Sequence, residues 1–455
     1  MATQDDGARA GLLASFTGDP GRTLVRAPER YWTAAEILGA AEALRPRFLE
    51  GQGPIGIAFA QPGWIVAALL AAWSVGRRPV LLDPSLKREA DVLRRLSPGI
   101  PMYADSETAG DEWQSVEEVL ARSGSLPAVP PWLRLPTDDE PFVALLTSAS
   151  TGDNKVIDKQ GFQFYRQIEA MAAELTLPAR ARVLSFVPPF HILGCFYGLI
   201  WPLAQGHEAV AATGLAGSAM LEALLKYQPD FVVGTAAHYR FLVRAAPSEV
   251  SLRQSTVYVS SGAPLDPAVA DAFAAKYGTA VRDFYGSTEL GGVASRTWPA
   301  PYLPTPGVRW RVDTETGALY VMSPWGGGAQ TTWVATGDAA EEEEEGFRLL
   351  GRLDHVVKVG GKRFSTVEVE QALRGMPGVA EAAAFPYARF GEPALAAAVV
   401  LERSAAADEH AVRTFLSGRL ASYKLPRTVL FLTALPRGSH DKVDYHTLRG
   451  MVVAP

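Results

Sequence analysis

Short apolar runs alternate with helical patterns along most of this chain, and that rhythm limits the folds open to it. Ile55-Gly-Ile-Ala-Phe-Ala60 and Pro79-Val-Leu-Leu-Asp83 sit among the helical stretches Thr33–Glu50, Trp64–Gly76 and Leu86–Leu96. The pattern returns after residue 160, with strand-like Arg182–Val187, Phe231–Gly234, Thr256–Ser260 and Ala280–Tyr285. Such alternation predicts parallel strands joined by helical crossovers, an α/β body. From Gly307 to Leu350 the texture changes to short alternating runs separated by Gly and Asp, which predicts antiparallel strands. The acidic run Glu341–Glu345 precedes Gly346 between two of these and reads as a solvated hairpin tip, not a metal site. After Gly351-Arg-Leu-Asp354 the chain takes up its own strand and helix pattern, a separate C-terminal domain.

Composition excludes several classes. At 455 residues the chain exceeds what one core supports, so two or three units are expected. A formal charge of −6, with no basic arm interleaved with aromatics, excludes a nucleic-acid footprint. The acidic start lacks the apolar core of a signal peptide, so the protein is expected to stay in the cytoplasm. Trp64–Gly76 is too short for the roughly 20 residues that span a bilayer, so it reads as a buried helix and no membrane partner is expected. The lone Cys195 rules out an internal disulfide or a Cys-rich metal site.

One familiar motif fails on context, and two others are absent. Gly51-Gln-Gly-Pro-Ile-Gly56 has the glycine spacing of a dinucleotide fingerprint, but helix-like residues precede it and a strand follows, the reverse of the required order. No His-x-x-x-His spacing offers a zinc site, and no Gly-x-Ser-x-Gly elbow offers a serine triad. Cys195, flanked by Phe196-Tyr197 and with no base nearby in sequence, reads as a small hydrophobe in a pocket wall.

The residues that carry chemistry come as an ordered set. Thr147-Ser-Ala-Ser-Thr-Gly-Asp-Asn-Lys155 leaves an apolar run and offers backbone N–H groups, hydroxyls and one ammonium to an anion. It lacks the order of a Walker A loop. Pro188-Pro-Phe-His191-Ile-Leu-Gly194, Ser261-Gly-Ala-Pro264, Tyr285-Gly-Ser-Thr-Glu289, Thr336-Gly-Asp338, Gly351-Arg-Leu-Asp354, Lys358-Val-Gly-Gly-Lys-Arg363 and a terminal Lys442 follow in turn.

This series resembles the core motifs of the adenylate-forming superfamily, which includes acyl- and aryl-CoA synthetases, peptide-synthetase adenylation domains and firefly luciferase. The resemblance implies a large N-terminal domain of stacked mixed sheets with flanking helices, residues 1–352, and a small mobile α+β lid, residues 353–455. It implies that Thr147, Ser148, Ser150, Thr151, Gly152 and Lys155 grip the β- and γ-phosphates of ATP. Tyr285 would stack on adenine within Asp283-Phe284-Tyr285-Gly286-Ser287, and Gly262, Ala263 and Pro264 would run alongside. Thr288 would reach the α-phosphate, Glu289 would hold Mg2+, and Asp338 and Arg352 would bind the ribose. His191 would lie at the acyl pocket. Lys442 would serve adenylation. A swing about Asp354 would then bring the Lys358, Gly360 and Gly361 face to the site for a thiol, either coenzyme A or the phosphopantetheine of an acyl carrier protein.

The chain departs from the family pattern at Ala149 and Asn154, where Gly and Pro are usual, and at Asp441, where Gly is usual. Ala149 narrows backbone freedom in the loop. The expected activity is activation of a carboxylic acid as an acyl-AMP with release of pyrophosphate, followed by acyl transfer to a thiol. The alternative is a catalytically silent nucleotide or acyl-AMP binder of the same fold. The ring-rich segment Phe190–Tyr197, and the lack of an early acidic residue to hold an amino group, point to a small aromatic or short acid, with a benzoate-type acid near His191 or Tyr197 as the specific expectation.

Overall fold

The computed structural model describes residues 6–105, 113–126, 128–148, 154–215, 217–245, 250–327, 332–359, 361–389, 392–403, 405–437 and 443–453. The chain forms two compact units, one from Met1–Arg309 with Met322–Thr332, the other from Trp310–Val321 with Trp333–Pro455.

The helices form where caps and apolar faces coincide. Ala34–Leu49 opens on Thr33, whose hydroxyl accepts from the Glu36 N–H at 3.2 Å while the Glu36 carboxylate takes the Thr33 N–H at 2.8 Å, a capping box. Pro62–Ser74, with proline in its first turn, is buried at every residue from Pro62 to Trp73, as the uncharged run predicts. No helix among the described residues is long and apolar enough to cross a membrane. At the glycine-spaced segment the helix does precede the strand Ile55–Ala58, and Arg77 fills the junction by donating to the carbonyls of Phe48, Glu50, Gly53 and Pro54. Those carbonyls are the orphan acceptors of a helix end and its exit loop.

Two sheets build the first unit. The six-stranded sheet is ordered Gln114–Ser115, Met102–Ala104, Ile55–Ala58, Pro79–Leu81, Pro141–Ser148, Asn154–Gln160. The nine-stranded sheet runs Leu303–Pro304, Gly291–Thr297, Val281–Ser287, Val257–Ser261, Phe231–Gly234, Arg182–Ser185, Glu208–Ala211, Thr23–Ala27, Arg30–Thr33. Alternation along each strand sends successive side chains to opposite faces. Val183 and Val233 join a core shared with Phe142, Leu145 and the helices Ala34–Leu49, Pro62–Ser74 and Gly161–Glu174; Leu184 and Val232 join a second core under Ser218–Tyr227, Ala236–Ala245 and Pro267–Tyr277. The central strands of the large sheet are parallel.

The second unit carries a four-stranded sheet ordered Arg309–Val312, Ala318–Met322, Val334–Glu343, Gly346–Arg352, with its last two pairings antiparallel. Glu343 pairs with Gly346 at the hairpin end expected for the acidic run, and Arg348 lies 2.6 Å from the Glu343 carboxylate. A hairpin of Val356–Val359 and Lys362–Ser365 follows. The last sheet, Val379–Arg389, Glu392–Leu401 and Thr428–Leu432, packs Thr366–Arg374 and Glu409–Ser417 on one face and Tyr445–Val453 on the other. The strands 310–321 and 333–352, which the sequence reading assigns to the large N-terminal domain, belong to this second compact unit.

Candidate active site

In the large sheet the strand Arg182–Ser185 lies between Glu208–Ala211 and Phe231–Gly234, so the chain reverses its direction of travel beside it. Ligands of open parallel sheets bind at the carboxyl ends of the strands next to such a reversal. The loops that leave those ends carry His191, Thr235, Gly262 and the turn after Ser287.

The turn of Tyr285–Glu289 is shaped by glycine. A Cβ on Gly286 would sit 2.2 Å from the Gly291 carbonyl oxygen, so no other residue fits there without moving the hairpin. Tyr285 is half-buried, with its ring 5.9 Å from that of Tyr302; Thr288 is half-buried, while Ser287 and Glu289 are exposed. Phe284 is buried, and its carbonyl accepts from Ser261 Oγ at 2.9 Å, which ties the Gly262-Ala263-Pro264 loop to this strand. The space beside the Gly262 α-carbon is open.

Asp283 behaves differently from its neighbours. It is 2% exposed, and its carboxylate is held by Arg296, with Nη2 at 3.1 Å, and by the Tyr302 hydroxyl. Burial pushes its carboxyl up from the ordinary carboxylate range, and Tyr302 and Arg296 pull it back down. Its carboxylate is thus engaged in fixing the strand.

Thr147 and Ser148 end the strand Pro141–Ser148 and pair across the hairpin with Lys155 and Asn154, so the phosphate-loop candidates are closed by a β-ladder with Lys155 exposed. Ala149, Ser150, Thr151 and Gly152 fall outside the described residues, as do Gly360, Asp441 and Lys442. An antiparallel bridge between Arg437 and Val443 joins the backbone on either side of the Lys442 segment.

His191 caps the short helix Ile192–Cys195, which runs into a π-helical turn, Phe196–Ile200. A Cβ on Gly194 would lie 2.1 Å from the Pro188 carbonyl oxygen, so glycine lets the helix fold against its own approach loop. The residue His191 is exposed as a whole, yet desolvation of the ring holds its imidazole below its ordinary value, with Asp83 acting in the opposite sense. Sequence reasoning overlooked His238, which stands at the same end of the sheet. Its Nδ1 accepts from the Thr235 N–H at 3.0 Å, and its ring stacks on Phe186 at 5.6 Å. Burial pushes its imidazole down from the ordinary value as well.

Cys195 is fully buried and its thiol is pushed up to about 12, so it is no nucleophile. Phe196 and Tyr197 are also core residues: Phe196 packs on Phe164 at 5.5 Å, and Tyr197 receives a bond from Gln167 Nε2 at 3.4 Å. These rings belong to the core, and of the expected pocket segment Phe190, His191, Ile192 and Leu193 remain at least partly accessible.

In the second unit, Asp338 and Arg352 are directly opposed across an antiparallel pair. The same sheet receives Thr336, whose Oγ1 donates to the Leu319 carbonyl at 3.0 Å and accepts from the Asp338 N–H at 3.1 Å. Lys358 is exposed opposite Arg363, and Gly361 forms the turn of that hairpin at φ 79°.

Residues 16–324 match the family model described as AMP-binding enzyme, and residues 368–442 match that of the AMP-binding enzyme C-terminal domain. The chain belongs to the AMP-binding enzyme family. This AMP-binding enzyme is 24% identical to an indoleacetate–CoA ligase of Aromatoleum aromaticum, over 95% of this chain and 96% of that protein. It is 28% identical to a fatty acid–[acyl-carrier-protein] ligase of Streptomyces coeruleorubidus, over 69% and 68% of the two chains. Its fold is that of the o-succinylbenzoate CoA synthetase of Bacillus subtilis solved with an acyl-adenylate intermediate, with a TM-score of 0.77, 19% identity and 98% of each chain covered. The AMP-binding enzyme is thus a member of the adenylate-forming superfamily, with the α/β architecture expected from its motifs.

Among the described residues no group of three His, Cys, Asp or Glu side chains could cage a metal. The exposed carboxylate of Glu289 still fits Mg2+, which prefers one or two carboxylates together with phosphate oxygens and water.

Proposed function

We propose that the protein joins a small aromatic or short carboxylic acid to a thiol at the expense of ATP. The carboxylate oxygen attacks the α-phosphorus of ATP, the bond to the β-phosphate oxygen breaks, and pyrophosphate leaves with that electron pair. The thiol then attacks the acyl carbon and AMP departs. The observation that carries this reading is the Tyr285–Glu289 turn at the carboxyl end of a central strand, beside the open Gly262 loop, in a chain of this family.

In this reading Tyr285 and Gly262-Ala263-Pro264 hold adenine, Asp338 and Arg352 hold the ribose, and Thr288 meets the α-phosphate. Thr147, Ser148, Ser150, Thr151, Gly152 and Lys155 grip the outer phosphates. Two anions have to meet, and unit charges 4 Å apart interact by about 4 kcal/mol at an effective dielectric near 20, so an aimed cation matters at that step. Lys442 supplies it. Bound at Glu289, Mg2+ would neutralise phosphate charge. The imidazole of His191 can hydrogen-bond the acid. Residues from 353 onward turn about Asp354 between the half-reactions, exchanging Lys442 for the Lys358, Gly360 and Gly361 face. Coenzyme A or a carrier-bound pantetheine takes the acyl group, and a cytoplasmic setting supplies ATP and either thiol.

Product analysis tests this. With ATP, Mg2+ and benzoates or short acids the protein should form AMP and pyrophosphate, and a thioester once coenzyme A or a pantetheine-bearing carrier is added. Formation of ADP would contradict the chemistry. Turnover confined to palmitate or free amino acids would contradict the acid class.

A further inference from the structure

The turn that bears Glu289 is anchored from two directions. From the segment 323–327, the Gly327 N–H donates to the Glu289 carbonyl at 3.0 Å, Ser323 Oγ to the Leu290 carbonyl at 3.1 Å, and Trp325 Nε1 to the Gly292 carbonyl at 3.0 Å. From the other side comes Lys159, whose Nζ donates to the same Glu289 carbonyl at 3.0 Å across 130 residues of sequence. Lys159 belongs to the strand Asn154–Gln160, which leaves the phosphate-loop hairpin. The next helix adds Gln163, whose Nε2 donates to the Trp325 carbonyl at 3.1 Å and so braces the first anchor too.

Lys159 is 3% exposed, and the Glu289 carbonyl is its one hydrogen-bond partner among the described residues. An ammonium buried with a single acceptor destabilises a fold compared with an apolar side chain of the same length. Gly327 already satisfies that carbonyl, so the fold does not require the lysine for it. What Lys159 adds is a direct link between two parts of the site. Lys155, Ile157 and Lys159 alternate onto one face of their strand, and that face runs from the ladder partner of Thr147 to the Glu289 turn.

We propose that Lys159 is a positioning residue that locks the Thr288–Glu289 turn to the strand leaving the phosphate loop, holding the phosphate grip and the metal-binding carboxylate in one frame. It acts through the main chain of Glu289 and touches no substrate. The proposal rests on the assignment of Glu289 to Mg2+.

Equilibrium ATP titrations with and without Mg2+, on the full-length protein and on Lys159→Met, Lys159→Gln and Glu289→Ala, test it together with ligand-free thermal midpoints. Lys159→Met should melt no lower than the unmodified protein, yet lose about tenfold or more of the gain in ATP affinity that Mg2+ confers, since small misplacements of a positioned group have effects of that order. Lys159→Gln, which keeps a donor, should retain more of the gain. A full Mg2+ gain in Lys159→Met beside its loss in Glu289→Ala would overturn the proposal and leave the Glu289 reading standing. An equal loss of ATP affinity with and without Mg2+ would overturn it too, as would failure of both Lys159 variants to fold, which would make the lysine structural. Absence of any Mg2+ gain in the unmodified protein would sink the Glu289 reading and this proposal with it.

Discussion

Asp338 and Arg352 face each other across adjacent antiparallel strands, with Arg352 Nη1 3.3 Å from Asp338 Oδ1 and 3.4 Å from the Thr336 carbonyl. The pair joins two residues that stand in separate motifs of the sequence. Asp338→Ala should weaken ATP binding, because a hydrogen bond to a charged group contributes about 1.5 to 3 kcal/mol, equivalent to roughly ten- to a hundredfold in affinity. Nucleotide titration measures this directly, and an unchanged affinity would remove Asp338 from the site.

Arg296→Met should destabilise the first unit by about 3 to 5 kcal/mol, since it strands the buried Asp283 carboxylate without its cation. The carboxyl of Asp283 already stands above its ordinary range through burial, and removal of Arg296 raises it further. An acid whose folded value is raised favours the fold in its protonated form, so the deficit should shrink as pH falls through that folded value. Urea denaturation of both proteins at mildly acidic and mildly alkaline pH reads this slope; a deficit independent of pH would assign the loss to packing.

Gly194→Ala should cost about 1 to 3 kcal/mol of stability through overpacking, because its methyl group would lie 2.1 Å from the Pro188 carbonyl oxygen. The approach loop that bears His191 has to move to relieve the clash. Acid affinity should therefore fall while ATP affinity holds, and equal effects on both would argue against His191 as part of the acid site.

The thiol of Cys195, pushed up to about 12 by burial, stays protonated at neutral and mildly alkaline pH. Native protein at pH 8 should leave a thiol-reactive chromophore untouched, and unfolded protein should react with one equivalent. Rapid labelling of the native state with loss of turnover would restore Cys195 as a reactive group.

The legible parts of the fold are those whose signals are local. Thr33 and Glu36 write a cap, and Pro62–Trp73 writes a buried helix in a run without charge. Phe231–Gly234 is a strand over the expected residues because four apolar positions inside a doubly covered sheet need no partner to be recognised. The parts that stayed hidden depend on distant contacts. Nothing next to Lys159 in the sequence calls for its burial, which comes with an acceptor 130 residues away; its spacing from Lys155 on one strand face is the single hint in the sequence. Arg296 and Tyr302 likewise show no link to Asp283 until the hairpin folds back. Segment 310–321 reads as a continuation of the large body, whereas its strand pairs with Val334–Glu343 and falls in the same compact unit as residues 333–455.

Acid-dependent exchange of labelled pyrophosphate into ATP is the most direct measurement of the proposed chemistry, because it occurs only if an acyl-AMP forms reversibly from ATP and a carboxylate. The unmodified protein should exchange label with a benzoate-type or short acid and not without one. Lys442→Ala should lower that exchange by about a hundredfold to a thousandfold while still converting supplied acyl-AMP to thioester. A protein that binds ATP with the affinity of an intact site yet exchanges no pyrophosphate with any carboxylic acid would be a silent binder, contradicting the assignment.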